Sequence, residues 1–135
     1  MQVSHCFPLN FNPNHPECAG VTGILSNYNS IIGQSRISFS GPTIFGPIIE
    51  KASEYANKIS KMQENNYVIL LILTDGQIDG DKNLQDIIDK IVELSFLPAS
   101  IIIVGLGNDT EFESMKILDG DDKVLVHSSG LLIIN

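Results

Sequence analysis

The stretch YVILLILTDGQIDGD, residues 67–81, sets the architecture of this chain. Its apolar run from Tyr67 to Leu73 is unbroken, which is typical of a strand that is buried on both faces. A second run of the same kind, SIIIVG, occupies residues 100–105. Carboxylates follow the first run directly, beginning with Asp75. The stretch therefore predicts a buried parallel strand whose carboxyl end carries acidic side chains.

Helical patterns separate these runs. Apolar residues at spacings of three and four predict a first helix from about Ala19 to Ile32, ending near Gly33. Its predicted face comprises Val21, Ile24, Leu25, Tyr28, Ile31 and Ile32. A second helix is predicted from about Ile44 to Met62, with Pro47 in its first turn. Its predicted inner face comprises Ile48, Tyr55, Ile59 and Met62.

Shorter elements complete the pattern. A third helix is predicted from Leu84 to Leu94, closed by Pro98. The segment DTEFESMKIL predicts a short helix with a cap at Asp109 or Thr110. HCFPLNF at residues 5–11 and KVLVHS at residues 123–128 are predicted as weaker strands, and NPNHPE at residues 12–17 as turns.

The alternation of strands and helices predicts a doubly wound α/β domain, in which a mostly parallel sheet lies between layers of helices. The 135 residues fit one domain. Ligands of such sheets collect at the carboxyl ends of the strands, where the loops emerge. This rule places Asp75, Gly76 and the loop Gly105–Asn108 at the functional edge.

Composition limits the classes of function. The net charge of −8 argues against nucleic-acid binding and favours a cation or a basic partner. The longest apolar run is too short for a membrane-spanning helix, and a signal-peptide pattern is lacking, so we expect a soluble, unsecreted protein. Cys6 and Cys18, with His5 and His15, are either a zinc cluster of unusual spacing or two ordinary thiols in a reducing compartment.

The acidic loop after the first run has three interpretations. As an EF-hand, Asp79, Asp81 and Asn83 start the pattern, but Leu84 stands where glycine is needed and Lys90 where glutamate is needed, so this interpretation fails. In the second interpretation, Asp79, Asp81 and Asn83 are turn and helix-cap residues. Asp75 differs because the buried strand fixes its position, and it is a candidate metal ligand.

Enzymatic interpretations are weaker. VGLGND at residues 104–109 begins like a dinucleotide-binding loop, but Thr110 replaces the third glycine. His127 beside Ser128 and Ser129 resembles a hydrolase only in composition, and a surface histidine near a strand end is expected instead. We therefore predict a binding module and not an enzyme. Thr43, just before the second helix, is either the N-cap of that helix or a ligand.

The pieces FPLNFNP, CAGVTGILSNY, SGPTIFGPII, YVILLILTDG, SIIIVGLGN and LDGDD, in this order, closely resemble the carboxyl-terminal A domain of copines. Copines are cytosolic, calcium-dependent phospholipid-binding proteins that are recruited peripherally to membranes. The resemblance runs from about Val3 to Val126. Plant RING-type ubiquitin ligases with a copine-like domain share SGPT and TDGQ and are the alternative, although the RING cysteines are absent from this chain.

This resemblance implies a von Willebrand factor A-like fold with a metal-ion-dependent adhesion site for Mg²⁺ or Mn²⁺. It implies that Thr43 is the second-loop ligand and Asp75 the third-loop ligand. The first loop, with its D-x-[ST]-x-S motif, is missing from the sequence. The resemblance also implies a partner-binding edge, which comprises Gly41, Pro42, Gly76, Gly105, Gly107 and Asn108.

The same resemblance implies that residues 1–135 are a partial A domain, without the first strand and the last helix. The C2 domains, which hold the calcium and phospholipid chemistry of copines, lie outside this chain. Protein partners are expected at the metal-site edge. Because the missing strand would lie beside Tyr67–Leu73, an unpaired strand edge is expected, which favours self-association.

Overall fold

Four helices and two strands follow one another along the part of the chain that the structure describes. The computed structural model describes residues 4–33, 43–62, 65–75, 84–107, 112–119 and 123–131. In chain order the elements are α1 (Gly20–Gly33), α2 (Gly46–Ser60), β1 (Val68–Thr74), α3 (Leu84–Leu94), β2 (Ala99–Gly105) and α4 (Glu113–Asp119). Within these ranges, none of the helices has the length and apolar character needed to cross a membrane.

The chain forms two compact units, Met1–Pro42 and Thr43–Asn135. In the second unit β1 and β2 pair in parallel, from Val68 opposite Ala99 to Thr74 opposite Gly105. A parallel pair needs a crossover connection, and α3 supplies it. The prediction of an α/β fold with a parallel sheet is confirmed.

The core of the second unit lies between the sheet and helices α2 and α3. Of the apolar residues that mark helix α3 in the sequence, Ile87, Ile88, Val92 and Leu94 are buried, whereas Leu84 and Ile91 are half-buried. Helix α2 does not follow its prediction, because Tyr55 and Met62 are exposed. Its buried positions are Gly46, Ile49, Ala52 and Ala56. Small side chains at three of these positions let α2 approach its neighbours closely.

A half-buried lysine joins α2 to α3. The ammonium group of Lys90 contacts the carboxylate of Asp86 on α3 and lies 3.4 Å from Glu50 Oε1 on α2. Burial alone would lower the pKa of Lys90, but the hydrogen bonds and charges of Asp86 and Glu50 outweigh it and raise the pKa. Ion pairs thus stabilise the exposed side of the α2–α3 pair, and apolar packing stabilises its inner side.

The strands are not covered on both faces within the described residues, so the prediction of two-sided burial is wrong. Along β1 and β2 the side chains alternate between half-buried and exposed. One face packs on α2 and α3. The opposite face, which we name the outer sheet face, comprises the exposed apolar side chains Tyr67, Ile69, Leu71, Leu73, Ile102 and Val104.

The first unit consists of turns followed by α1. Residues 5–11 are not a strand, so that prediction is wrong, whereas the turns predicted after them are present. The reason is local: the Phe11 N–H donates to the Pro8 carbonyl, and the Asn10 side chain donates to the carbonyls of His15 and Glu17. Helix α1 matches its prediction in extent, although Ile31 is its one buried residue.

The last described segment is held by α3 and not by a sheet. Residues 123–131 contain a single bridge position at Val126, so the predicted strand is not formed there. Asp89 on α3 accepts hydrogen bonds from the Ser128 amide at 2.9 Å and the Ser128 hydroxyl at 2.6 Å. Gln85 Nε2 donates to Asp89 at 2.7 Å and to the Val126 carbonyl at 3.0 Å.

These contacts stabilise the ionised form of Asp89. The hydrogen bond from the Ser128 hydroxyl contributes most, followed by that from Gln85, and together with the Ser128 amide and His127 they lower the pKa of Asp89 to about 2. His127 Nε2 lies 3.8 Å from Asp89 Oδ2 and 3.5 Å from Glu93 Oε1. Asp89 is therefore the centre of a polar cluster that fixes the segment to α3.

A close contact marks the end of β2. A Cβ atom added to Gly105 would lie 2.8 Å from Cε1 and 2.9 Å from Cζ of Phe112, which is nearer than side chains tolerate. Phe112 in turn packs against the core beside Met115 and Leu118. Glycine at position 105 is thus required by the packing of the residue that precedes α4.

We expect Gly105→Ala to lower the free energy of unfolding by about 1–3 kcal/mol, because the added methyl group displaces the Phe112 ring. Gly33→Ala is the matched control, since a Cβ atom there would meet nothing within 4 Å. Urea denaturation followed by circular dichroism measures both variants. Equal stability of the two variants would contradict the packing assigned to Gly105.

We expect Asp89→Asn to be less stable than the parent chain at pH 5, with a difference that shrinks as the pH falls. Because folding lowers the pKa of Asp89 from 3.8 to about 2, its stabilisation is complete above the unfolded pKa and is lost as the pH approaches 2. Urea midpoints at pH 5, 3 and 2 test this. Glu17→Gln, a change at an exposed carboxylate outside the cluster, should keep the pH response of the parent chain.

Candidate functional site

The carboxyl ends of β1 and β2 form one edge, as the parallel register requires. Thr74 lies opposite Gly105, and the Leu106 amide donates to the Thr74 carbonyl at 2.7 Å, which extends the pairing by one residue. Asp75 follows directly and is exposed. Gly107, with φ of 145°, adopts a backbone conformation that favours glycine. The edge therefore presents one carboxylate beside a glycine turn.

Thr43 is exposed and lies before α2. It does not cap this helix: the N-cap position belongs to Phe45, whose carbonyl accepts from the amides of Ile48 and Ile49. The capping interpretation of Thr43 is therefore wrong, and its role as a ligand stays a prediction. Of the other predicted edge residues, Gly41, Pro42, Gly76 and Asn108 lie outside the described residues, as do Asp79, Asp81 and Asn83.

The described residues at this edge do not make a complete metal site. Mg²⁺ prefers about six oxygen ligands, and Thr43 with Asp75 offers a hydroxyl and a carboxylate. Across the described ranges, His, Cys, Asp and Glu nowhere gather in a group of three that could hold a metal ion. This includes the cluster considered for zinc, and Cys6 and Cys18 are free thiols. Any ion at Asp75 therefore needs further ligands.

A cavity of about 530 Å³ opens beside β2, between α3 and α4. Its walls are partly apolar and partly polar, with Ile101, Ile103 and Lys116 among them, and Gly105 reaches it from the edge. Asp75 and Thr43 do not line it. The cavity therefore includes neither candidate metal ligand, although it shares Gly105 with the predicted edge.

His127, considered for hydrolase chemistry, is part of a local turn. Its Nδ1 accepts from the Ser129 amide at 3.0 Å and lies 2.7 Å from the Ser129 hydroxyl. Its Nε2 faces Glu93 and Asp89. The side chain is half-buried, with 17% of it exposed, and it lies in a turn and not at the end of a strand. Ser128, whose hydroxyl donates to Asp89, anchors the segment.

The polar cluster of Asp89, Gln85 and Ser128 was missed by reasoning from the sequence. Ser128 lies 39 residues from Asp89, and Val126 lies 41 residues from Gln85, and no motif connects them. One signal was present, since Gln85, Asp89 and Glu93 recur at spacings of four along α3 and mark its polar side.

Comparison with known proteins agrees with the resemblance noted in the sequence. A family model described as Copine matches residues 1–134. "Copine-A" from Dictyostelium discoideum is 47% identical over 125 residues, which cover 92% of this chain and 20% of that protein. "Copine-C" from the same organism is 42% identical over 129 residues, covering 96% of this chain and 23% of that protein.

A plant relative extends the comparison. "Protein BONZAI 2" from Arabidopsis thaliana is 42% identical over 127 residues, which cover 94% of this chain and 21% of that protein. The chain thus spans about a fifth of the length of the curated relatives it matches. None of these three names indicates a ubiquitin ligase, so that alternative gains no support. The chain belongs to the copine family.

Proposed function

We propose that this chain supplies a protein-binding surface at the carboxyl edge of its sheet, as part of a copine A domain. The whole protein would bind phospholipid in a calcium-dependent manner through C2 domains, and would be cytoplasmic and recruited peripherally to membranes. The observation that carries the proposal is the position of Asp75, exposed at the end of β1, in a chain that matches the copine model over residues 1–134.

The chemistry proposed for this edge is that of a shared metal ion. Asp75 would contribute a carboxylate oxygen and Thr43 a hydroxyl oxygen to Mg²⁺ or Mn²⁺. Oxygen ligands suit both ions, but two are too few for tight binding. A carboxylate of the protein partner would supply a further ligand, so that metal and partner bind together. Gly107, whose positive φ favours glycine, lets the main chain at the end of β2 approach such a partner.

The proposed role is non-enzymatic. Its support is that the candidate nucleophiles have structural contacts: Ser128 donates to Asp89, and Ser129 contacts the Nδ1 atom of His127 within a turn. The nearest acids, Asp89 and Glu93, lie on the opposite nitrogen of that histidine. Ser129 contacts Nδ1 through both its amide and its hydroxyl. This arrangement is typical of a turn and not of a nucleophile with its general base.

We further propose that β1 can pair with a strand of another copy through its free edge. The Val68 amide donates to the Pro98 carbonyl, and the Thr74 carbonyl accepts from Leu106, so both residues point their main chain towards β2. Ile69, Leu71 and Leu73, which alternate with these residues, direct their amides and carbonyls to the other side. Within the described residues β1 pairs with β2 alone, which leaves that row open.

For metal alone, we expect calorimetric titration of the chain with MgCl₂ or MnCl₂ to give a dissociation constant no tighter than about 1 mM, because the described ligands are too few. Asp75→Ala should change this weak signal little. Micromolar affinity that Asp75→Ala abolishes, and that Asp119→Ala leaves intact, would show that a complete site exists.

For partner binding, we expect the immobilised chain to retain specific proteins from a cytosolic extract in the presence of Mg²⁺. Asp75→Ala should reduce this retention about tenfold or more, since the carboxylate holds the shared ion, and removal of divalent ions by a chelator should do the same. Glu17→Ala, which removes an exposed carboxylate in the other unit, is the matched control. Retention that is indifferent to Asp75→Ala would refute the proposed surface.

A further inference from the structure

Residues 123–131, which we name the strap, form one wall of the cavity beside β2. Val124 and Leu125 line that cavity, and its other walls come from α3, β2 and α4. The strap contains a single bridge position and otherwise no regular structure, and seven of its nine residues are exposed. Leu125 is its one buried residue. The apolar contact of the strap with the core therefore depends mainly on one side chain.

The polar contacts of the strap come from one side of α3. Asp89 accepts hydrogen bonds from the amide and the hydroxyl of Ser128. Gln85 donates to the Val126 carbonyl. Because Gln85 and Asp89 are four residues apart on the helix, their side chains are neighbours. The polar cluster of Asp89, Gln85 and Ser128 thus attaches the strap to a single turn of α3.

The remaining hydrogen bonds lie within the strap itself. The His127 amide donates to the Leu131 carbonyl, and the Gly130 amide donates to the His127 carbonyl, at 2.8 Å each. The Ser129 amide donates to His127 Nδ1 at 3.0 Å. Small hairpins and turns are at best marginally stable in water by themselves. These bonds therefore last only while the polar cluster and Leu125 hold the strap in place.

We propose that the strap opens and closes the cavity by local unfolding while the rest of the second unit stays folded, and that the polar cluster is the latch that keeps it closed. Segments with few buried apolar contacts open at a lower cost in free energy than the core. The strap is such a segment, whereas β1 and β2 pair along seven residues. Opening removes the wall that Val124 and Leu125 form and exposes the apolar side chains of the other walls.

The latch depends on the charge of Asp89. Its carboxylate accepts from the Ser128 hydroxyl at 2.6 Å and from the Ser128 amide at 2.9 Å, and hydrogen bonds to an ionised group are stronger than neutral ones. The Ser128 hydroxyl contributes most to lowering the pKa of Asp89 to about 2, so the carboxylate is ionised at neutral pH. A second negative charge at residue 128 would therefore replace attraction by repulsion.

The chain contains its own reporters for the test. Met115 lines the cavity and is 7% exposed, whereas Met62, which follows α2, is 55% exposed. Oxidation of methionine follows exposure, so treatment with chloramine-T and mass spectrometry compare the two residues in one molecule. Hydrogen exchange of the amides of residues 127–130 measures opening of the strap. Exchange in β1 and β2 measures unfolding of the whole unit.

We expect Ser128→Asp to raise strap exchange and Met115 oxidation at least about tenfold, and to change exchange in β1 and β2 less than about twofold. Asn57→Asp adds the same charge at an exposed position of α2 and should change all these rates less than about twofold. Ile49→Val removes a methylene group from a core position that is 1% exposed. It should raise exchange in β1 and β2 about fivefold, with strap exchange and Met115 oxidation unchanged.

Circular dichroism checks that each variant folds. If Ser128→Asp does not fold, Ser128→Ala decides the matter, because it removes the hydroxyl donor, keeps the amide and should raise both rates about fivefold. Strap, Met115 and strand rates that rise by the same factor would overturn the proposal, since the strap would then open only with the whole unit. Faster strap exchange without faster oxidation of Met115 would also overturn it, because the segment would move without opening the cavity.

Discussion

The parallel pairing of β1 with β2 is the constraint on which the second unit depends. Side chains of a strand alternate strictly between two faces, so the register that places Ile101 and Ile103 over α2 and α3 also turns Ile102 and Val104 the other way. The same register brings Thr74 opposite Gly105, which fixes the position of Asp75 one residue later. One set of main-chain hydrogen bonds thus determines the core, the candidate metal-site edge and the outer sheet face.

The sequence predicted the elements better than the surfaces they bury. Helix α3 follows its pattern closely because Ile87, Val92 and Leu94 are both apolar and inward. Helix α2 departs from its pattern because alanine, which a hydrophobic periodicity hardly registers, occupies inner positions 52 and 56, while the larger Tyr55 remains exposed. A continuous apolar run in a strand indicates that both of its faces are suited to burial. It does not indicate which of the two faces the described residues cover.

At the candidate site, too, one position could be predicted from the sequence and other contacts could not. Asp75 could be placed from the sequence, since a residue at the end of a buried strand must lie at the sheet edge. The contacts of Asp89 could not, because they join α3 to a segment about forty residues away through a serine and a glutamine that belong to no motif. Local chemistry also misled: Pro8 and the side-chain hydrogen bonds of Asn10 convert an apolar run into turns.

The ionised groups of the second unit are separated from its two strands. The ionised groups lie on the helices and loops, where Lys90 joins Asp86 to Glu50 and Asp89 holds Ser128, and the strands have none. Recognition at the Asp75 edge would depend on ions and ionic strength, because it uses a carboxylate exposed to water. The outer sheet face has no ionised side chain, so burial of its apolar area would be insensitive to both.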